Sequence, residues 1–172
     1  MTSLTENFAL NEFLVSQTAE RMGRPIEANA RVIANLRYLC ENVMQPIRDA
    51  LQAEFGPDLR ILVSSGYRPV WLNRKIGGSK TSSHCCGDKS RLSEAACDWR
   101  TIGADATLLE ICQFIVQING DEIIPFDQLI YEGTWIHTGW RANPNNGRGE
   151  VLTATFSRKW GRKITTYHQG LI

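Results

Sequence analysis

Residues 128–140 read Gln-Leu-Ile-Tyr-Glu-Gly-Thr-Trp-Ile-His-Thr-Gly-Trp. Two runs rich in β-branched and aromatic side chains, Gln128 to Tyr131 and Trp135 to Trp140, flank the turn residues Glu132-Gly133. That is the composition of two strands joined by a tight connection. His137 lies inside the second run, an apolar setting for an imidazole. Outward from this pair, further short strands are expected at Leu59 to Ser64, Ala96 to Arg100 and Val151 to Phe156. Helical patterns lie before and between them. Val32, Leu36, Leu39 and Val43 recur at helical spacing and make one apolar face. Pro46 is expected to end or kink that helix, with Ile47, Ala50 and Leu51 supplying a further turn or two before Gly56-Pro57. Arg68 to Lys80, containing Pro69 and Gly77-Gly78-Ser79, reads as a short helix running into a loop. Leu108, Leu109, Ile111, Cys112, Ile115 and Val116 place another helix over Thr107 to Ile118, closed by Asn119-Gly120. Helices first and short strands afterwards indicate an α+β fold, not an alternating parallel-sheet protein.

At 172 residues the chain is expected to form a single domain, 1–172. That length can bury a core without covalent staples. Hydrophobic residues make up 42% and charged residues 22%, ordinary globular values. A net charge of +1 argues against non-specific binding to nucleic acid or to an anionic membrane and leaves peptides open as substrates. No run is long enough to span a bilayer, so no membrane insertion is expected. The start, MTSLTENFALNEF, lacks the basic and apolar regions of a secretory signal. The expected location at synthesis is therefore the cytoplasm. Cys40, Cys85, Cys86, Cys97 and Cys112 are odd in number and lack thiolate zinc spacing, so reduced thiols are expected.

The chemistry-bearing residues are few. Of three histidines, His84 follows a Gly-rich loop, His137 sits in the apolar strand, and His168 lies near the C-terminus with no partner in view, as a solvated tail residue. Asp98, between Ala96-Cys97 and Trp99, is a carboxylate in an apolar setting, and burying it unpaired would cost several kcal/mol, roughly, or shift its pKa. A bound dication would remove that cost. Two imidazoles and one carboxylate are a recurring ligand set for catalytic zinc, with water in the fourth position. Glu132, close before His137, could take a proton from that water, and Arg68, after the first strand, could face a developing oxyanion. Spacing alone leaves the plainer readings open: a core histidine bonded to a carbonyl, an Asp98 ion pair, a turn carboxylate and a surface arginine.

The ordered series Ser64-Ser65-Gly66-Tyr67-Arg68-Pro69, Leu72-Asn73, Gly77-Gly78-Ser79, Ser82-Ser83-His84, Ala96-Cys97-Asp98 and Trp135-Ile136-His137 resembles the zinc D-Ala-D-Ala carboxypeptidases. That family includes vancomycin-resistance D,D-dipeptidases and phage L-alanyl-D-glutamate endolysins, and its fold is shared with the Hedgehog signalling domain. The segments NFALNEF, Leu36-Arg37, Asn42-Val43 and Val151 to Ala154 look like its small phage-type branch. The resemblance implies a small antiparallel sheet carrying the zinc site with helices on one side. It implies Zn2+ held by His84, Asp98 and His137, a catalytic carboxylate at Glu132 and a transition-state arginine at Arg68. It also implies that Ser82 contacts substrate or orients its loop, with Tyr67 counted among the substrate contacts. The implied substrate is a peptidoglycan peptide, cut at D-Ala-D-Ala or within the stem, by an enzyme released from the cytoplasm or carried in a virion. Two departures stand out. The family usually spaces Asp seven residues after His, whereas here Asp88 to Glu94 intervene as an expected polar, exposed insertion. Several relatives also place the carboxylate three residues before the second His, where this chain has Thr134. The insertion keeps open a non-catalytic wall-binding or virion relative, and the thiols near His84 a redox module.

Overall fold

A computed structural model describes residues 2–88, 93–120, 124–142 and 148–172. After a 3-10 turn at Leu10–Leu14 come helices α1 (Gln17–Arg21), α2 (Ala30–Leu39) and α3 (Gln45–Phe55), then strand β1 (Arg60–Ser65). Helix α4 (Val70–Lys75), strand β2 (Glu94–Ile102) and helix α5 (Leu108–Ile118) follow. Strands β3 (Gln128–Tyr131), β4 (Ile136–Arg141), β5 (Glu150–Lys159) and β6 (Arg162–Gln169) complete the chain. The strands form one sheet in the order β1-β2-β4-β3-β5-β6. Neighbours run antiparallel except β3 and β5, which pair in parallel.

Pro46 does not end the first helical pattern. Residues Cys40–Met44 form a π-turn in which the Gln45 N–H reaches back to the Cys40 carbonyl, and Pro46 sits in the first turn of α3. A proline inside a helix clashes with the preceding turn and donates no hydrogen bond; the wider turn absorbs both defects. Val43, Met44, Ile47 and Leu51 thereby stay on the buried side.

Strand alternation divides the sheet into two faces with different work. Ala95, Cys97 and Trp99 of β2, Ile136, Thr138 and Trp140 of β4, and Leu129 of β3 are buried, and the apolar faces of α2, α3 and α5 complete their core. The opposite face presents Glu94, Ala96 and Asp98 on β2, His137, Gly139 and Arg141 on β4, and Gln128 and Ile130 on β3. Helices thus cover one side and leave the other to chemistry.

The last expected strand runs on to Lys159, turns at Trp160-Gly161 and returns as β6. His168 therefore lies in a strand, half-buried, with its Nε2 3.1 Å from Thr155 Oγ1, and is no solvated tail residue. The Asp88 to Glu94 insertion is not exposed throughout: Glu94, only 5% exposed, already belongs to β2. Residues 89–92 of that insertion lie outside the described residues.

Beneath the functional face, the Trp99 Nε1–H donates to Thr138 Oγ1 at 2.8 Å, with both residues fully buried. Thr138→Val would leave that indole N–H without an acceptor. Chemical denaturation is expected to show a loss of about 1–3 kcal/mol, with Trp99→Phe in the same background recovering part of it.

Candidate metal centre

Asp98 and His137 are direct partners across the β2–β4 ladder, so the sheet itself sets carboxylate beside imidazole. His84 arrives from a 3-10 turn at Ser83–Cys85, ended by Cys86 in the left-handed region (φ 48°). Its Nδ1–H donates to the Gly66 carbonyl at 2.8 Å, which leaves a lone pair on Nε2. That Nε2 lies 3.1 Å from Asp98 Oδ1 and 3.2 Å from His137 Nδ1, and His137 Nδ1 lies 2.9 Å from the same Oδ1. Tetrahedral zinc with bonds of about 2.0–2.1 Å holds its ligand atoms roughly 3.3 Å apart. The three atoms need open by only a few tenths of an ångström, so the cluster is compatible with zinc coordination.

The surroundings favour a cation. Burial pushes the His84 imidazole below its ordinary pKa, against the pull of Asp98, and so keeps it neutral and able to ligate. Burial alone would raise the Asp98 carboxyl, yet the two imidazoles beside it hold it well below the usual carboxylate range. Its second oxygen accepts from Arg68 Nη2, and Arg68 Nε donates to Ser65 Oγ at 2.9 Å. Asp98 is thus ion-paired to an arginine, as one plain reading held, while its other oxygen faces the imidazoles.

Glu132, Arg68 and Ser82 line the same cleft as the triad, an open trough of about 930 Å3. The Glu132–Trp135 turn is closed by Glu132 N–H to the Trp135 carbonyl at 3.0 Å, with Gly133 at φ 77°. The turn sets Glu132 at the end of β3 and leads into β4, which carries His137. Tyr67 lies elsewhere. It is buried, lines a separate hollow of about 250 Å3 behind Arg68, and bonds Asp88, its phenol raised first by burial and then by that carboxylate.

Several cleft residues escaped sequence reading. Arg141 bonds Glu94 Oε2 through Nε (3.2 Å) and Nη2 (3.0 Å), forming a second charged rung four residues from the Asp98–His137 rung, with Ala96 and Gly139 as a low floor between. The alternation His137, Gly139, Arg141 carried the signal for it. Tyr167 of β6 also lines the trough, its phenol pushed up by burial and by Glu132 and Asp98. Behind the cleft, Asn73 of the Leu72-Asn73 motif donates to the Ser79 carbonyl at 2.8 Å and holds the Gly77-Gly78 loop so close that a Cβ on Gly78 would meet its Oδ1 at 2.1 Å. All five thiols are free. Burial pushes Cys112 up to about 12 and raises the other four, so none is an activated thiolate.

The family model described as Peptidase M15 matches residues 6–146. No curated protein and no solved structure is a match. The model's span includes all three candidate ligands, Glu132 and Arg68, and stops short of β5 and β6.

Two predictions arise from this geometry. A Cβ on Gly66 would meet the Phe13 backbone at 2.6 Å, so Gly66→Ala must displace the carbonyl that orients His84. Zinc titration against a chromophoric chelator should show affinity weakened about 10–100-fold. The second concerns protons. His84, depressed in the folded state, is protonated in the unfolded chain below about pH 6.5 and in the folded chain only further down. Its stabilising contribution is therefore present above that pH and lost on acidification, and melting of the metal-free protein should shift down as pH falls from 7 to about 5.

Proposed function

We propose that this chain, which belongs to the peptidase M15 family, is a zinc-dependent hydrolase of peptide bonds in the stem peptides of bacterial peptidoglycan. The observation that carries this reading is the convergence of His84 Nε2, Asp98 Oδ1 and His137 Nδ1 on the floor of a cleft shared with Glu132 and Arg68. Zinc held by those three side chains would supply Lewis acidity and lower the pKa of a water towards 7.

The residues of the chain divide the remaining work. Glu132, half-buried at the turn beside the triad, takes the proton from the attacking water and delivers it to the leaving amine. Arg68, fixed by Asp98 and Ser65, sets a positive charge at the cleft wall where an oxyanion develops. Ser82, at the mouth of the His84 turn, contacts the substrate backbone or holds the loop that does. Tyr67, from its buried position, acts by shaping the Arg68 segment, a role that adjusts the substrate contact expected for it.

The form of the trough favours an internal bond over a terminal one. It continues past the triad in both strand directions, towards Gln128, Arg141 and Glu150 on one side and towards Glu132, Trp135 and Phe156 on the other. A chain can therefore extend on both sides of the scissile bond, as an L-Ala-D-Glu endopeptidase requires. Such an enzyme would meet the wall after release from the cytoplasm or as part of a virion.

Mass spectrometry of digested peptidoglycan tests the reading. Cleavage is expected within the stem, and turnover should fall about 10²–10⁴-fold in Glu132→Ala while zinc stays bound. His84→Ala should lose zinc and turnover together. Glu132→Ala turning over like the parent would reject the assignment.

A further inference from the structure

The β5–β6 hairpin lies beyond the residues matched by the family model. Its base, through Leu152, Phe156, Thr165 and Tyr167, forms one wall of the trough. Beyond Phe156 every described position from Ser157 to Gly161 is exposed. A two-stranded ribbon without a core contributes little to stability on its own.

The tip departs from what hairpin geometry asks. Lys159 pairs with Arg162, so Trp160-Gly161 is a two-residue connection, and both residues have positive φ, 50° and 76°. That is the type I′ arrangement, which favours Asn-Gly because Asn tolerates the left-handed region and bulky side chains do not. Here a tryptophan occupies the first position, 92% exposed, with Lys159 Nζ 5.1 Å from its ring. Packing does not explain the residue, and the local backbone disfavours it. Strain retained at an exposed site points to use by a ligand. The ligand's charge is indicated as well: Ser157 to Ile164 reads Ser-Arg-Lys-Trp-Gly-Arg-Lys-Ile, four basic residues and no acidic one, in a chain of net charge +1.

We infer that the β5–β6 hairpin is an exosite that grips the anionic glycopeptide strand of the wall beyond the scissile peptide, with Trp160, Arg158 and Lys159 as its tip contacts. A tryptophan face suits the apolar side of a sugar ring, and the cations suit the carboxylates that recur along the polymer. Because the base of the same hairpin walls the trough, a strand held at the tip presents its stem peptide to the triad at raised local concentration. This inference rests on the proposed wall substrate.

The test separates gripping from cutting. Glu132→Ala protein is sedimented with purified, insoluble sacculi, alone and combined with Trp160→Asn or with Arg158→Ser/Lys159→Ser. Either tip change should lower the bound fraction about fivefold or more, and added salt should do the same to the parent. In the active background, the tip variants should cleave a soluble stem peptide within about twofold of the parent yet digest sacculi more slowly. Trp160→Asn should melt no lower than the parent, because Asn suits the left-handed position. Unchanged sedimentation, an equal loss on the soluble peptide, or binding to phosphatidylglycerol vesicles in place of sacculi would each overturn the exosite. A parent that sediments with sacculi but cleaves no peptide would sink the hydrolase reading and leave the exosite standing.

Discussion

The pairing of Asp98 with His137 across two adjacent strands is the constraint around which the rest is arranged. A carboxylate 8% exposed on the face of a sheet is untenable unless both oxygens find partners. One oxygen takes Arg68, and the other faces two imidazole nitrogens at 2.9 and 3.1 Å, a pairing that a bound cation would complete because His84 Nε2 carries a lone pair. Each partner is then held in turn. Gly66 accepts the far side of His84, and the Phe13 backbone packs so tightly on Gly66 that only a glycine fits. Ser65 fixes Arg68. The N-terminal 3-10 turn, the end of β1 and the His84 loop are thereby tied to one carboxylate, and distant stretches of chain become a single donor set.

That arrangement uses the period-two geometry of strands to keep two jobs apart. Trp99 and Thr138, neighbours of Asp98 and His137 in sequence, point into the helical side and bond each other there. Asp98 and His137 point the other way, into the trough. Two rungs on that face, Asp98–His137 and Glu94–Arg141, are spaced by Ala96 and Gly139, whose small size leaves room above the floor. Both rungs are charged, yet only the first gathers nitrogen and oxygen donors on one point. The thiols take no part, since burial raises them away from the thiolate form and Cys97 faces the core. A redox module would need a nucleophile that this environment withholds.

Much of the scaffold was legible because local patterns agreed with tertiary burial. The apolar stripe from Val32 to Val43 and the strand pair around Glu132-Gly133 appear where periodicity puts them. The cluster of His84, Asp98 and His137 was legible as a set of residue types in apolar settings. Their convergence was not, because it depends on the register of β2 against β4 and on a backbone carbonyl at Gly66, which leaves no mark in side-chain chemistry. Pro46, expected to end or kink the helix, leaves the helical run unbroken because the π-turn before it absorbs a proline that an α-turn cannot. The Glu94 end of the insertion misled because a charged residue was taken for solvent-facing when its cross-strand partner is Arg141. The β6 strand was missed since its turn, Trp160-Gly161, lacks the Asn or Asp that announces a tight hairpin.

X-ray absorption of the zinc-loaded protein tests the central claim most directly. The account predicts about one zinc per chain in a first shell of nitrogen and oxygen at about 2.0–2.1 Å, with two imidazole signatures and one of them lost in His137→Ala. A sulfur shell at about 2.3 Å, or a chain that retains no zinc, would contradict it.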